Sequence, residues 1–337
     1  MKKIKIGILD QSVVQKGKSA KEAIDETIAT VKLAEQLGYS RFWVSEHHNS
    51  TFIAGSAPEI LMVKLASETN TNTIRIGSGG IMLPNHSALK VAENFRMLET
   101  LFPGRIDLGM GRAPGTDRVT SSLLNPSNEF EEEGYLRQLD HLQNFFADTA
   151  YTRDNRQILA VPQSTTIPKQ WILSSSGGSS LIAAKFGLGL VVAKFINGFA
   201  TREVIETYKN NFKPSEYFPT PHAMVSIFVL CAETDSKVAE MRKFMDYIFL
   251  QFEVGKFHDF ADYETIQKYV FTQEEIQRIK YNSGRIISGT KEFVKKQLEA
   301  LAEEFNIDEI IISTLAGNSE DRKRSFELIA KAFDLSS

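Results

Sequence analysis

Ile4-Lys-Ile-Gly-Ile-Leu9, Ser19-Ala-Lys-Glu22 and Arg41-Phe-Trp-Val-Ser45 are the stretches whose reading decides the fold. The first is a short β-rich run. The second is a capping box, and Ala20, Ala23, Ile24, Ile28, Val31, Ala34 and Leu37 follow it at the three-to-four spacing of one buried helix face, which Gly38 ends. The third is again a short β-rich run. Strand, helix, strand in that order implies two parallel strands joined by a helical crossover.

The same unit recurs along the chain. Ser56-Ala-Pro-Glu59 reads as a second capping box, opening a helix to about residue 68, before a strand over 73–78. Ala88, Val91, Ala92, Phe95, Leu98 and Phe102 then form a buried stripe that Pro103-Gly104 breaks. Strands follow over 105–110, 171–173, 188–193, 222–231 and 308–313, with helices over about 130–146, 179–186, 200–210 and 236–252. Val294, Leu298, Leu301 and Phe305 mark another helix, and Phe326, Ile329, Ala330 and Phe333 a terminal one. Eight such units favour a closed (β/α)8 TIM barrel, a single α/β domain over residues 1–337, with an open doubly wound sheet as the alternative. Two segments exceed ordinary loops: 114–128 after strand four, and 253–287 before strand eight. The second reads either as a lid or as a peripheral insertion.

Composition narrows the function. The chain has 337 residues, 42% hydrophobic and 24% charged, which excludes disorder and fibres. A formal charge of -3 provides no basic field for nucleic acid or anionic lipid, so small molecules are the expected ligands. Cys231 stands alone and cannot form an internal disulfide. The N-terminal apolar run is too short for a secretory signal, and no stretch approaches the roughly 18 apolar residues of a membrane span. The expectation is a cytoplasmic protein.

In a (β/α)8 barrel, reacting groups come from the C-terminal ends of strands and the loops after them. Glu46-His47-His48-Asn49 occupies one such place. Neighbours in extended backbone face opposite ways, so one imidazole can look into the barrel mouth while the other is held by packing or hydrogen bonds. The pair reads as catalytic or binding, as structural, or as a metal site, the last weakened because a shared ion needs both rings on one side. Ser174-Ser-Ser-Gly-Gly-Ser179 is a phosphate cradle at a helix start or a plain loop with a serine cap. Arg112 after Gly109-Met-Gly111 either reaches the same anion or makes a surface salt bridge. Gly79-Gly80 gives room to something flat, or is a bulge. A dinucleotide fingerprint at 109–115 fails, because its last interval is one residue too long and Pro114 interrupts the helix. Residues 129–133 read as a solvated first turn with no role.

Trp43-Val-Ser-Glu-His-His-Asn49, Ile76-Gly-Ser-Gly-Gly-Ile-Met-Leu-Pro84, Gly104-Arg-Ile-Asp-Leu-Gly-Met-Gly-Arg112 and Ser174-Ser-Ser-Gly-Gly-Ser179 together resemble the bacterial luciferase-like monooxygenases, over nearly the whole chain. The likeness is to the single-chain branch rather than to the light-emitting subunits. It implies a (β/α)8 barrel that takes reduced FMN from a flavin reductase, adds O2 at the flavin and delivers one oxygen atom to a small organic substrate. By motif, His47 matches the histidine beside the flavin. Gly79 and Gly80 match the pair under the isoalloxazine, where the family often has a non-prolyl cis peptide. Arg112, Ser175, Ser176 and Ser179 match the FMN phosphate site. The resemblance also implies a mobile cover at 253–287 and dimerisation through helices near strands two and three. Gly111 stands where luciferase has a reactive cysteine, and Ser175 where it has an acidic residue, so thiol chemistry at 111 is not expected. Alternatives are an F420-dependent hydride-transfer enzyme, a non-catalytic flavin-binding protein and a metal-dependent barrel hydrolase.

Overall fold

In the computed structural model, which describes residues 3–69, 74–127, 131–175, 177–256 and 261–335, the alternation closes on itself. The strands are β1 (Lys5–Asp10), β2 (Arg41–Val44), β3 (Arg75–Met82), β4 (Ile106–Gly111), β5 (Lys169–Ser174), β6 (Gly189–Ala193), β7 (Ala223–Cys231), β8 (Ile286–Gly289) and β9 (Glu309–Ser313). Strands β1 to β7 pair in sequence and β9 joins β7 back to β1, so eight parallel strands form a closed barrel. Around it lie α1 (Ala20–Gln36), α2 (Pro58–Ser67), α3 (Ala88–Leu101), α4 (Arg118–Leu124), α5 (Glu132–Phe146), α6 (Ser180–Phe186), α7 (Glu203–Asn211), α8 (Asp235–Glu253), α9 (Tyr263–Lys268), α10 (Gln273–Asn282), α11 (Lys291–Phe305) and α12 (Ser319–Phe333).

The first capping box forms as read: the Ser19 hydroxyl accepts the Glu22 N–H at 3.2 Å, and the Glu22 carboxylate accepts the Ser19 N–H at 2.8 Å. The second does not. Ala57 is the N-cap of α2 without a side-chain bond, and Pro58 opens the helix, where its missing N–H leaves no bond unmade. Residues 114–128 are not bare loop, because Asp117 caps α4 by accepting the Thr120 N–H at 3.0 Å. The segment 253–287 holds α9 and α10. Its final residues, Ile286 and Ile287, belong to β8, which pairs with the C-terminal half of β7 while the preceding part of β7 pairs with β9. A four-residue strand between helices has too few alternations to register as periodicity.

Inward-facing side chains fill the barrel in layers. At its N-terminal end, Arg41 is buried against two carboxylates: it pairs with Asp107, and its Nε and Nη2 donate to the Glu309 oxygens at 2.7 and 2.9 Å. Burial opposes the Arg41 charge, yet Asp107 and Glu309 hold its pKa above the ordinary arginine value. In the next layer Trp43 and Trp171 meet edge-on, with centroids 5.8 Å apart. Glycines make space for them. A Cβ on Gly77 would lie 2.5 Å from Trp43 Nε1, and one on Gly189 would lie 2.2 Å from Trp171 Cε3. The two indoles fill the middle of the barrel and form a base for the C-terminal mouth. No helix among the described residues is long and apolar enough to cross a membrane.

Candidate active site

The C-terminal ends of the strands surround a cavity of about 1020 Å³. Leu9, Trp43, Leu173, Val191 and Ile311 make an apolar floor, and His47, Gly79, Arg112, Ser175 and Ser179 stand in its walls. Five residues singled out in the sequence therefore share one space. Ser176 lies outside the described residues. Gly80 is not in the lining: a Cβ there would sit 2.8 Å from the Gly109 carbonyl oxygen, in the seam between β3 and β4. The Gly79–Gly80 peptide is cis, and the β3–β4 register shifts between Gly79 and Ile81.

The two adjacent histidines divide their tasks. His47 lines the cavity, and burial lowers its pKa despite hydrogen bonding to the Gly115 backbone and the nearby Glu46 charge. At neutral pH it is an uncharged imidazole, able to accept a proton. His48 instead turns to Glu46, with Nε2 2.8 Å from Oε1.

Glu46 is fully buried and fastens three strand ends. Its carboxylate also meets His86 Nε2 at 2.9 Å, accepts the Met82 N–H at 2.8 Å, and accepts Asn85 Nδ2 at 3.2 Å. Asn85 in turn donates to the Pro114 carbonyl at 2.8 Å. Burial alone would push the Glu46 carboxyl up, but His48, His86 and the Met82 N–H bring it down to about 2. For His86, burial is outweighed by its bond to Glu46 and the pKa rises. The ends of β2 and β3 and the chain after β4 are thus tied together behind His47.

Arg112 reaches the cavity wall, where its Nη1 pairs with Glu132 Oε2 at 2.7 Å. The salt-bridge reading of this arginine is thus present, on a residue that also lines the cavity. Arg118 of α4 lines the same wall and makes no ion pair among the described residues. In the loop after β5, Gly177 adopts φ 83°, the left-handed region that favours glycine, and its N–H donates to Ser174 Oγ at 3.2 Å. Asn197 Nδ2 holds the Ser175 carbonyl at 2.9 Å. Among the described residues no group of three or more His, Cys, Asp or Glu side chains is placed to hold a metal ion.

Several participants escaped the sequence reading. His86 follows a strand end but stands alone in sequence, and Glu132 sits in an acidic run that looks like a solvated helix start. Ser45, just after β2, and Ser226, on β7, line the cavity; Ser45 stands within the Trp43–Asn49 motif without a role of its own there, and nothing in the immediate sequence of Ser226 marks it. No described residue of 253–287 lines the cavity. That segment touches the rim, where Arg285 Nε donates to the Phe195 carbonyl at 2.7 Å and the Tyr281 ring packs on Phe199 at 4.9 Å.

Comparison with known proteins places this arrangement. The chain is 43% identical to the Bacillus subtilis (strain 168) protein YwcH over 332 residues, spanning 98% of this chain and 99% of that protein. It is 34% identical to the N-acetyl-S-alkylcysteine monooxygenase of the same organism over 338 residues, covering 98% of each. Among solved structures, apo-MsnO8 superposes with a TM-score of 0.91 at 31% identity, covering 98% of this chain and 99% of that one. The luciferase-like monooxygenase profile matches residues 4–309. With profile, relatives and fold in agreement, the chain belongs to the luciferase-like monooxygenase family.

Proposed function

We propose that this protein is an FMN-dependent monooxygenase that receives reduced FMN from a separate reductase and places one oxygen atom of O2 on a small organic substrate. Bound reduced flavin supplies two electrons, so that the second oxygen atom leaves as water. The observation that carries the proposal is the cavity itself. Arg112, Ser175 and Ser179 stand on the β4–β6 side, His47 on the β2 side, and an apolar floor and side-chain-free Gly79 between them.

The residues present fit such a cofactor. Arg112 and the serine loop supply a cation and small polar groups suited to a phosphate. A side chain at Gly79 would come within 2.8 Å of Leu9 Cδ1 and 2.9 Å of Trp43 Cε3, so glycine keeps that stretch of wall flat. In this reading the apolar floor excludes water, and His47, uncharged at neutral pH, takes or returns a proton beside the flavin ring. The segment 253–287 closes over the mouth from its contact with Phe195. The reading also includes a homodimer in the cytoplasm.

Titration of the apoprotein with FMN, reduced FMN and F420, followed by oxygen, tests this. Reduced FMN is expected to bind, to react with oxygen and then return to oxidised FMN only slowly, and to protect 253–287 from protease. Preferential binding of F420 without oxygen chemistry would establish the hydride-transfer alternative instead. His47→Ala is expected to retain FMN and lose substrate oxygenation. Arg112→Ala is expected to weaken FMN by about 1–3 kcal/mol, the scale of a hydrogen bond to a charged group. Unaltered oxygenation or unaltered affinity, respectively, would remove each residue from its role.

A further inference from the structure

The floor of the cavity carries two polar atoms that the protein leaves unused. Ser45 and Ser226 are 4% and 2% exposed. Both line the cavity, and neither hydroxyl has a hydrogen-bond partner among the described residues. Their backbones are fixed: the Ser45 N–H donates to the Asp10 carbonyl at 3.3 Å, and the Ser226 carbonyl accepts the Phe195 N–H at 3.1 Å. Each lies two residues beyond an inward-facing side chain of its own strand, Trp43 and Met224, so both point inward. A buried hydroxyl without a partner is costly to keep.

Their location borders the proposed flavin contacts. Those contacts run from His47 after β2 to the loop after β5, whereas Ser226 is on β7, Ser45 stands next to β1, and β9 and β1 close the circle between the two serines. This half of the mouth is otherwise faced by Leu9 and Ile311 at the floor and by Gln11 after β1. Small-molecule pockets usually occupy about 300–1000 Å³, so a cavity of about 1020 Å³ has space for a second molecule beside a cofactor.

We infer that Ser45 and Ser226 form the substrate subsite, taking an uncharged hydrogen-bonding group carried by an otherwise apolar molecule. The inference rests on the flavin reading for its division of the cavity. A carbonyl oxygen accepts from a hydroxyl, so a molecule carrying one is held at either serine. The side chains lining this half, Leu9, Gln11, Trp43 and Ile311, carry no charge, so a neutral polar group is desolvated there at less cost than a carboxylate or ammonium. Specificity would follow, because a ligand lacking the polar group leaves both hydroxyls unpaired.

The test uses the full chain, with and without FMN, and two probes of like shape, cyclohexanone and methylenecyclohexane. Calorimetry gives the ratio of their dissociation constants for wild type, Ser45→Ala, Ser226→Ala and the double variant. The preference for the ketone is expected to fall about tenfold from wild type to the double variant, the scale of one neutral hydrogen bond. FMN affinity and the thermal midpoint should hold or rise. An unchanged ratio overturns the inference. So does weaker FMN binding at an unchanged ratio, which gives the hydroxyls to the flavin, or a lowered midpoint, which gives them to the fold. Failure of wild type to bind FMN would defeat the flavin reading, while the ratio in the apoprotein still decides the subsite.

Discussion

Glu46→Gln separates charge from shape at the point where three strand ends meet. Glutamine keeps the volume but offers one acceptor oxygen, whereas the carboxylate receives His48, His86, Asn85 and the Met82 N–H. The fall of the Glu46 pKa from 4.5 to about 2 corresponds to about 3 kcal/mol of native-state preference for the ionised form. The raised pKa of His86 is the other side of the same contact and is not added. Because the folded-state value is depressed, this contribution is complete above the unfolded pKa and is lost as the pH falls toward 2. At pH 3 roughly half of it remains. Thermal unfolding of wild type and Glu46→Gln at pH 7 and pH 3 reads this directly. At about 2 °C per kcal/mol for a domain of this size, the variant should melt roughly 6 °C lower at pH 7 and roughly 3 °C lower at pH 3. An equal gap at both values would show that ionisation of Glu46 is not what ties the strand ends together.

Two further outcomes test the packing and the wall. Gly189→Ala drives a methyl to within 2.2 Å of Trp171 Cε3, and Trp171 is itself pressed by Trp43 and Phe218 with centroids 5.8 and 5.0 Å away. It should cost about 1–3 kcal/mol in urea unfolding, as overpacked cores do, and an unmoved midpoint would contradict the layered account. Glu132→Gln frees Arg112 from its carboxylate partner, so FMN should bind roughly two- to fivefold tighter, the worth of a partly exposed ion pair. Unchanged affinity would mean that Glu132 does not compete with the phosphate.

The site was legible where its residues cluster in sequence. Glu46-His47-His48, Gly79-Gly80, Gly109-Met-Gly-Arg112 and the serine loop each fall in the C-terminal half of a strand or just after it, and the barrel's geometry brings those parts together. Opposite orientation of neighbouring residues also anticipated that His47 and His48 would face different ways. Glu132, His86, Ser45 and Ser226 were not legible, because each acquires its meaning from a partner, or the lack of one, far along the chain. Glu132 lies 20 residues from Arg112, and His86 40 residues from Glu46.

The sequence by itself determined the alternation of strands and helices, a preference for a closed barrel over an open sheet and the positions of its motifs, since periodicity and capping are local properties of neighbouring residues. Tertiary structure alone decided the rest. Ring closure made β9 the eighth barrel strand and moved β8 outside the circle. Burial lowered the pKa of His47, and the partners gathered around Glu46 kept it ionised against burial. The same enclosure left two serine hydroxyls beside the cavity without partners among the described residues. Desolvation and hydrogen-bond satisfaction depend on every group that surrounds an atom, and those groups come from all around the barrel.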